Sequence, residues 1–348
     1  MMEIVSGRRR GIRPVLLRAM LAVYEVPYRA AMQLRNHLYD RRILPIHRLP
    51  RPAISVGNLT TGGTGKTPLV CWIAAALQSA GRKPAVLMRG YKSKDGQSDE
   101  ARLIADSVPG MPVIANPDRL RGAAAALLAQ SETDLFVLDD SMQHRRVARD
   151  LEIVLVSAVE PWGFGHVLPR GLLREPVSGL QRADAVIITH ASLASPSDLV
   201  EIESIIRQHN AAAPIFHADH ALTALLASDG SEMPMSALSD GKYFVACGIG
   251  QPATFLTGLE RHRGARAGVR LFRDHHLFSE GDVALIQRQA AEVEATAIIV
   301  TEKDWTKLAA IPAARKSAIP FRRARLELTF ANGEGAALLQ LIAQRTMP

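Results

Sequence analysis

Residues 57–70 read GNLTTGGTGKTPLV. Gly62, Gly63 and Gly65 stand directly before Lys66 and Thr67. Glycines so placed let backbone N–H groups turn inward on an anion, because a Cβ would block the turn. A lysine at this point reaches β- and γ-phosphate oxygens, and the following hydroxyl serves Mg2+. The usual spacing, G-x-x-x-x-G-K-[ST], would place its first glycine at Thr60, so the match is incomplete. Gly62, Gly63, Thr64, Gly65, Lys66 and Thr67 are nonetheless expected to bind a nucleotide phosphate. A second chemical group lies in DLFVLDD, an apolar run ending in Asp139 and Asp140. A strand ending in aspartate is where phosphate-loop proteins organise Mg2+; the alternative is a carboxylate that caps the next turn. These two motifs do not decide between ATP and GTP. TEKD, residues 301–304, ends an apolar run and mimics a guanine-reading sequence without its Asn. It serves equally as a polar cap for the next helix.

The elements around these groups follow from apolar patterning. AISV precedes the glycines and TPLVCWIAAALQSAG follows them, which is the strand–loop–helix order a phosphate loop needs. PAVLM, MPVIAN, DLFVLDD, LEIVLVSA and ADAVIITH are further apolar runs separated by helical stretches. Strands that are apolar throughout and alternate with helices predict a parallel sheet covered on both faces. The fold class is therefore α/β: a P-loop NTPase-like domain over 52–213 and a smaller α/β domain over 214–330. IFHADHAL and RARLELTF are expected to form a ribbon joining them. Residues 331–348 read as a C-terminal helix able to pack back on the core.

The 348 residues are 47% hydrophobic and 22% charged, ordinary globular material. Two distant cysteines, Cys71 and Cys247, form neither a disulfide framework nor a metal spacing, which suits a reducing compartment. Residues 1–51 carry eleven arginines against Glu3, Glu25 and Asp40, so this segment holds the whole formal charge of +8. Such a segment suits an anionic surface, nucleic acid or lipid. Leu17, Met20, Leu21 and Tyr24 give it one apolar helical stripe, and Ala31, Leu34, Leu38 and Tyr39 continue it beyond Pro27. No stretch reaches the ~20 apolar residues needed to span a bilayer. The segment either lies in a membrane interface or packs on the domain with its arginines in solvent. The interleaved apolar residues favour lipid over nucleic acid.

Ordered blocks along nearly the whole chain resemble the tetraacyldisaccharide 4′-kinase family, the lipid A 4′-kinases of Gram-negative bacteria. They are LRNHLYDRRILPIHRLPRPAISVGNLTTGGTGKTP, MRGY, SDEARLIA, PVIANPDRLRGAAAALL, DDSMQHRRVARDLEIVLVSA, GHVLPRGLLREP, ACGIGQPATFLTGL, FRDHHLFSEGDV and VTEKDWTKL. The resemblance implies transfer of the γ-phosphate of ATP, with Mg2+, to the 4′-hydroxyl of a tetraacylated disaccharide 1-phosphate. It also implies a peripheral enzyme on the cytoplasmic face of the bacterial inner membrane, with the lipid as partner, no nucleic acid and no inferred protein partner. By resemblance Asp99 is the base and His275 orients or shares its proton, with Lys66 on the transferring phosphate. The two lie in different expected domains, so domain closure is expected as well. Gln143 and His144 place phosphates. Thr67, Asp139, Asp140 and Glu175 are Mg2+ or water organisers, and Tyr91, Arg119 and Arg174 contact substrate or phosphate. From the residues alone, Asp99 serves equally as a helix cap, the Asp274–His276 stretch as a surface turn, and the arginines as solvated charge. Four positions depart from the family pattern: Ser98 and Ser141 replace Gly, Met142 replaces Phe, and Phe164 stands where Asn is frequent. An alternative class, membrane-cycling regulatory ATPases, shares the double-glycine loop but carries Lys where this chain has Thr61.

Overall fold

The computed structural model describes residues 2–90, 99–250, 252–274 and 276–347, with the side chains of Met2 and Asp99 outside that description. The chain divides into two compact units. Unit 1 gathers residues 1–91, 108–219 and 329–348; unit 2 gathers 92–107 and 220–328. The strands in chain order are β1 (Ala53–Asn58), β2 (Pro84–Met88), β3 (Val113–Ala115), β4 (Leu135–Asp139), β5 (Leu151–Ser157), β6 (Ala185–Thr189), β7 (Ile215–Leu226), β8 (Glu232–Pro234), β9 (Lys242–Cys247), β10 (Ala265–Leu271), β11 (Ala297–Thr301) and β12 (Phe321–Phe330). β7 and β12, the two expected joining strands, each contribute residues to both units.

Unit 1 holds a parallel sheet in the order β3-β2-β4-β1-β5-β6-β7. β1, β2, β4, β5 and β6 are buried along their whole length, which is why their sequences are apolar runs without alternation. The chain leaves β1 toward β2 on one side, and β5 flanks β1 on the other. β1 is thus the topological switch point, where ligands bind beyond the carboxyl ends of strands. Pairing sets Val56 of β1 opposite Asp139 of β4, which brings the glycine loop and the aspartates to one end of the sheet. The C-terminal helix Glu334–Thr346 belongs to unit 1 and packs on β1 and β5.

Unit 2 holds parallel β10-β9-β11-β12, with β8 antiparallel to the end of β7. The helix Asp99–Ser107 also belongs here, packed on the helix Glu302–Leu308. That differs from the boundaries expected from sequence, which placed residue 99 in the core domain. Asp99 and the neighbours of His275 fall in one unit, so their pairing does not of itself call for two domains to close. TEKD is a cap: the Thr301 hydroxyl accepts from the Asp304 N–H at 3.0 Å and starts the helix Glu302–Leu308.

The first segment of the chain is one 29-residue helix, Ile12–Asp40, continuous through Pro27. The expected stripe does not describe its faces. Leu17 and Leu21 are partly covered, whereas Met20 and Tyr24 are exposed. The outward face is Ile12, Leu16, Met20 and Val23, flanked by Val15 and Val26, with Ile12 80% and Val23 70% exposed. The inward face mixes Leu17, Leu21, Met32 and Leu38 with polar residues, and buries Glu25. Among the described residues no helix is long and apolar enough to cross a membrane.

Candidate active site

The loop between β1 and the helix Lys66–Ser79 has two left-handed glycines, Gly62 at φ 127° and Gly65 at φ 83°. A Cβ at Gly62 or Gly63 would meet no protein atom within 4 Å, so the bare backbone there faces open space. Gly65 caps the helix without a side-chain bond, leaving its first N–H groups for an acceptor. The loop is laced from both sides. The Thr61 N–H donates to the Leu172 carbonyl at 2.7 Å and the Arg174 N–H to the Leu59 carbonyl at 2.7 Å. The Thr189 hydroxyl at the end of β6 donates to the Thr64 carbonyl at 3.0 Å.

Lys66 Nζ donates to Asn58 Oδ1 at 3.0 Å and lies 3.5 Å from Asp140 Oδ1. Arg174 Nη1 donates to both Asp140 oxygens, at 2.8 and 2.9 Å. Burial pushes the Asp140 carboxyl up, but Lys66 and Arg174 outweigh it and hold the group below its usual range. Gln143 Nε2 donates to the Asn58 carbonyl at 2.9 Å and to Glu175 Oε1 at 2.8 Å. Glu175 is 1% exposed, and its Oε2 accepts from Arg182 and Asn36. Both Glu175 oxygens thus accept hydrogen bonds from side chains of the protein.

Arg119 is not a solvated charge. It is 2% exposed and donates to the carbonyls of Asn116 and Asp139, at 2.8 and 3.0 Å. The Ser141 hydroxyl donates to the same Asp139 carbonyl at 3.0 Å. Asp139 is buried beside them, and Thr67 sits half-buried on the first turn of its helix. Mg2+ in such sites takes one or two carboxylates, a hydroxyl and phosphate oxygens. Asp139 and Thr67 supply hard oxygen donors of that kind, so the residues fit the ion. Among the described residues no group of three or more His, Cys, Asp or Glu forms an all-protein metal cage.

The departures from the family pattern have local explanations. The left-handed residue of the turn is Asp140, at φ 49°, rather than Ser141, so a serine fits. Met142 is fully buried in the core beside β5 and β6, one apolar side chain in place of another. Phe164, at φ 61° and ψ 26°, occupies a conformation that Asn adopts at lower cost. Phe164→Asn is therefore expected to raise stability by up to about 1 kcal/mol in urea unfolding. Ser98 lies outside the described residues.

His144 is held neutral. Burial, then Arg119 and Arg149, lower its imidazole to about 4. That value lies below the usual one, so between about 4 and 6.5 the unfolded chain binds a proton that the folded chain refuses. Stability should fall as pH drops through that window. Urea unfolding at pH 7 and pH 5 measures the loss, and His144→Gln should shrink it.

Tyr91 and His275 lie outside the described residues. The backbone of Asp99 opens its helix. His276, second of the histidine pair, bonds Asp282 at 3.2 Å and stacks on Phe272. Sequence reasoning missed Asn58, which ends β1 fully buried and holds Lys66 and Gln143. A polar residue closing an apolar strand just before the glycines is the signal that was available. It also missed Tyr28, Arg35 and Asn36, which reach the site from the helix Ile12–Asp40.

The sequence model of the tetraacyldisaccharide-1-P 4'-kinase family matches residues 17–345. The chain belongs to this family. A tetraacyldisaccharide 4'-kinase of Anaeromyxobacter dehalogenans (strain 2CP-C) is 38% identical over 328 residues, 88% of this chain and 86% of its own. Another, from Syntrophus aciditrophicus (strain SB), is 39% identical and covers 87% of each chain. A crystal structure of LpxK from Aquifex aeolicus in complex with ATP is 27% identical, with a TM-score of 0.75 over 95% of this chain and 100% of that one. As a tetraacyldisaccharide-1-P 4'-kinase family member, the chain is a phosphotransferase with a hydroxyl acceptor, on an α/β scaffold of the P-loop kind.

Proposed function

We propose that this protein transfers the γ-phosphate of ATP to the 4′-hydroxyl of a tetraacyldisaccharide 1-phosphate in lipid A biosynthesis. The observation that carries this reading is family membership over residues 17–345, joined to a glycine loop whose lysine faces Asp140 and Asn58. Gly62, Gly63, Thr64 and Gly65 cradle the phosphates, and Lys66 turns from its two acceptors to the β- and γ-oxygens. Arg174 and Gln143 stand beside Asp140 and offer donors to phosphate or substrate. Arg119 fixes the carbonyl of Asp139. Thr67 and Asp139 would hold Mg2+, which would neutralise negative charge on the phosphates when bound. Asp140 and Glu175 organise the cations and amides around it. Asp99 accepts the proton of the sugar hydroxyl, and His275 orients it. Tyr91 contacts the substrate.

The acceptor is carried by a membrane, and the outward face of the helix Ile12–Asp40 supplies the contact. Its aliphatic residues are exposed beside Arg8, Arg9, Arg10 and Arg13, the composition of a helix lying in an anionic interface. The site of action is then the cytoplasmic face of the inner membrane. Leu16→Glu and Val23→Glu should each weaken co-sedimentation with phosphatidylglycerol vesicles by roughly tenfold. Undiminished sedimentation of both would remove the helix from this role. For the reaction, purified protein with ATP, Mg2+ and the disaccharide 1-phosphate in detergent should yield the bisphosphorylated lipid. Folded protein that transfers no phosphate would refute the reading.

A further inference from the structure

The inward face of the helix Ile12–Asp40 has a second task, separate from the outward one. Glu25, Tyr28, Arg35 and Asn36 fall on one side of the helix, at i, i+3, i+10 and i+11. Each bonds the segments that bear the phosphate-site side chains. Glu25 accepts from the Val167 N–H at 3.2 Å and from His166 Nδ1 at 3.0 Å. The Tyr28 hydroxyl donates to the Arg174 carbonyl at 2.8 Å. Arg35 donates to the Gln143 carbonyl. Asn36 Nδ2 donates to Glu175 Oε2 at 3.0 Å.

The Asn36 bond is the most informative. A carboxylate accepts only, so the amide must present its NH2 group to Glu175. Its other atom, Oδ1, is buried with no hydrogen-bond partner. An unpartnered buried carbonyl is destabilising, so the favourable contribution of this side chain lies in its donor. From Glu175 the bonds run to Gln143, and from Asp140 to both Arg174 and Lys66. Gln143 Oε1 and Arg174 Nη1 close the gap between the two sets at 3.4 Å.

We propose that Asn36 and Tyr28 are positioning residues of the phosphate site, which hold Glu175 and Arg174 so that Gln143, Asp140 and Lys66 stay in register. This rests on the reading of residues 57–67 and their carboxylates as the ATP site. The helix is then a wall of that site as well as a contact with lipid. Neither residue touches the reacting atoms; both act through Glu175 and Arg174.

Asn36→Leu and Asn36→Asp test this, with steady-state transfer measured in detergent at pH 6 and pH 8. Asn36→Leu should lower kcat by about tenfold at both pH values, with KM for ATP moving less than about threefold. Asn36→Asp keeps the side-chain size but turns the donor into a carboxylate facing Glu175, so kcat should fall further than in Asn36→Leu. Tyr28→Phe keeps the ring and removes the donor, and should lower kcat by a smaller factor. Melting temperatures establish that the variants fold, and vesicle co-sedimentation should match the parent. The proposal is overturned if both Asn36 variants keep parental kcat, if Asn36→Asp loses no more than Asn36→Leu, or if activity falls only in step with vesicle binding. If the parent chain itself transfers no phosphate, the functional reading fails on its own. Amide hydrogen exchange then decides the positioning claim. Faster exchange at Arg174 and Glu175 in Asn36→Leu supports it, and unchanged exchange overturns it.

Discussion

Replacing Lys66 with alanine is expected to lower phosphate transfer by roughly 10²–10³-fold, the scale of removing one preorganised donor from developing negative charge. The geometry explains why a neutral side chain cannot stand in. Lys66 Nζ rests on Asn58 Oδ1 at 3.0 Å with Asp140 at 3.5 Å, so the ammonium is already held in place. Nucleotide binding exchanges acceptors around a placed ammonium instead of ordering a free one, so little entropy is lost at that moment. The substitution also strips Asp140 of one of the two cations that hold its carboxyl down, leaving Arg174. The residual activity should therefore show an acid limb shifted upward in pH. Lys66→Arg should not restore the rate, because a planar fork does not occupy the place of a compact ammonium. Transfer rates at several pH values, with melting temperatures as a check on folding, measure all three. A near-parental rate for Lys66→Ala would remove this residue from the machinery.

Asp99→Asn is expected to lower kcat by about 10²–10⁴-fold, the usual contribution of a positioned base, while ATP affinity stays close to that of the parent. A sugar hydroxyl attacks phosphorus poorly until its proton has somewhere to go, and an amide cannot take it. The choice of asparagine matters because Asp99 is the first residue of the helix Asp99–Ser107. Asparagine keeps the size and polarity of aspartate at this first helical position and removes its basicity, whereas alanine would also take a polar group from the helix start. A loss in Asp99→Asn thus reports proton transfer rather than a frayed helix. Turnover measured beside calorimetric ATP binding separates the two effects, and partial recovery at high pH would match a missing base. Near-parental turnover would transfer the base role to another group.

The chemistry at the centre of the site was legible because it is local. GGTGKT and LFVLDD each place their functional residues within a few positions, and the apolar strands around them announce a doubly covered sheet. What sequence did not reveal depends on partners far along the chain. Tyr28 meets the carbonyl of Arg174 and Asn36 meets Glu175, contacts that no local periodicity encodes. On a helix, polar residues at helical spacing read as the wet face, and apolar ones as the packed face; Ile12–Asp40 departs from both, exposing Ile12, Leu16, Met20 and Val23 and burying Glu25. Arg119 misled for a related reason: charge suggests solvent, yet here a buried guanidinium donates to the carbonyls of Asn116 and Asp139. The placement of residues 99–107 with unit 2 was hidden likewise, since the helix itself was evident and its packing on Glu302–Leu308 was not.

The helix Ile12–Asp40 also bears on how the protein can be handled. An arginine-rich, aliphatic leader is a natural target for deletion when a well-behaved fragment is wanted. Cutting it away would uncover the Arg174 carbonyl and the Gln143 carbonyl and take one of two donors from Glu175 Oε2 in a single step. The shortened chain would exchange a greasy exterior for a loosened catalytic interior. Polar replacements confined to Ile12, Leu16, Met20 and Val23 reach the same end while leaving the inner contacts whole.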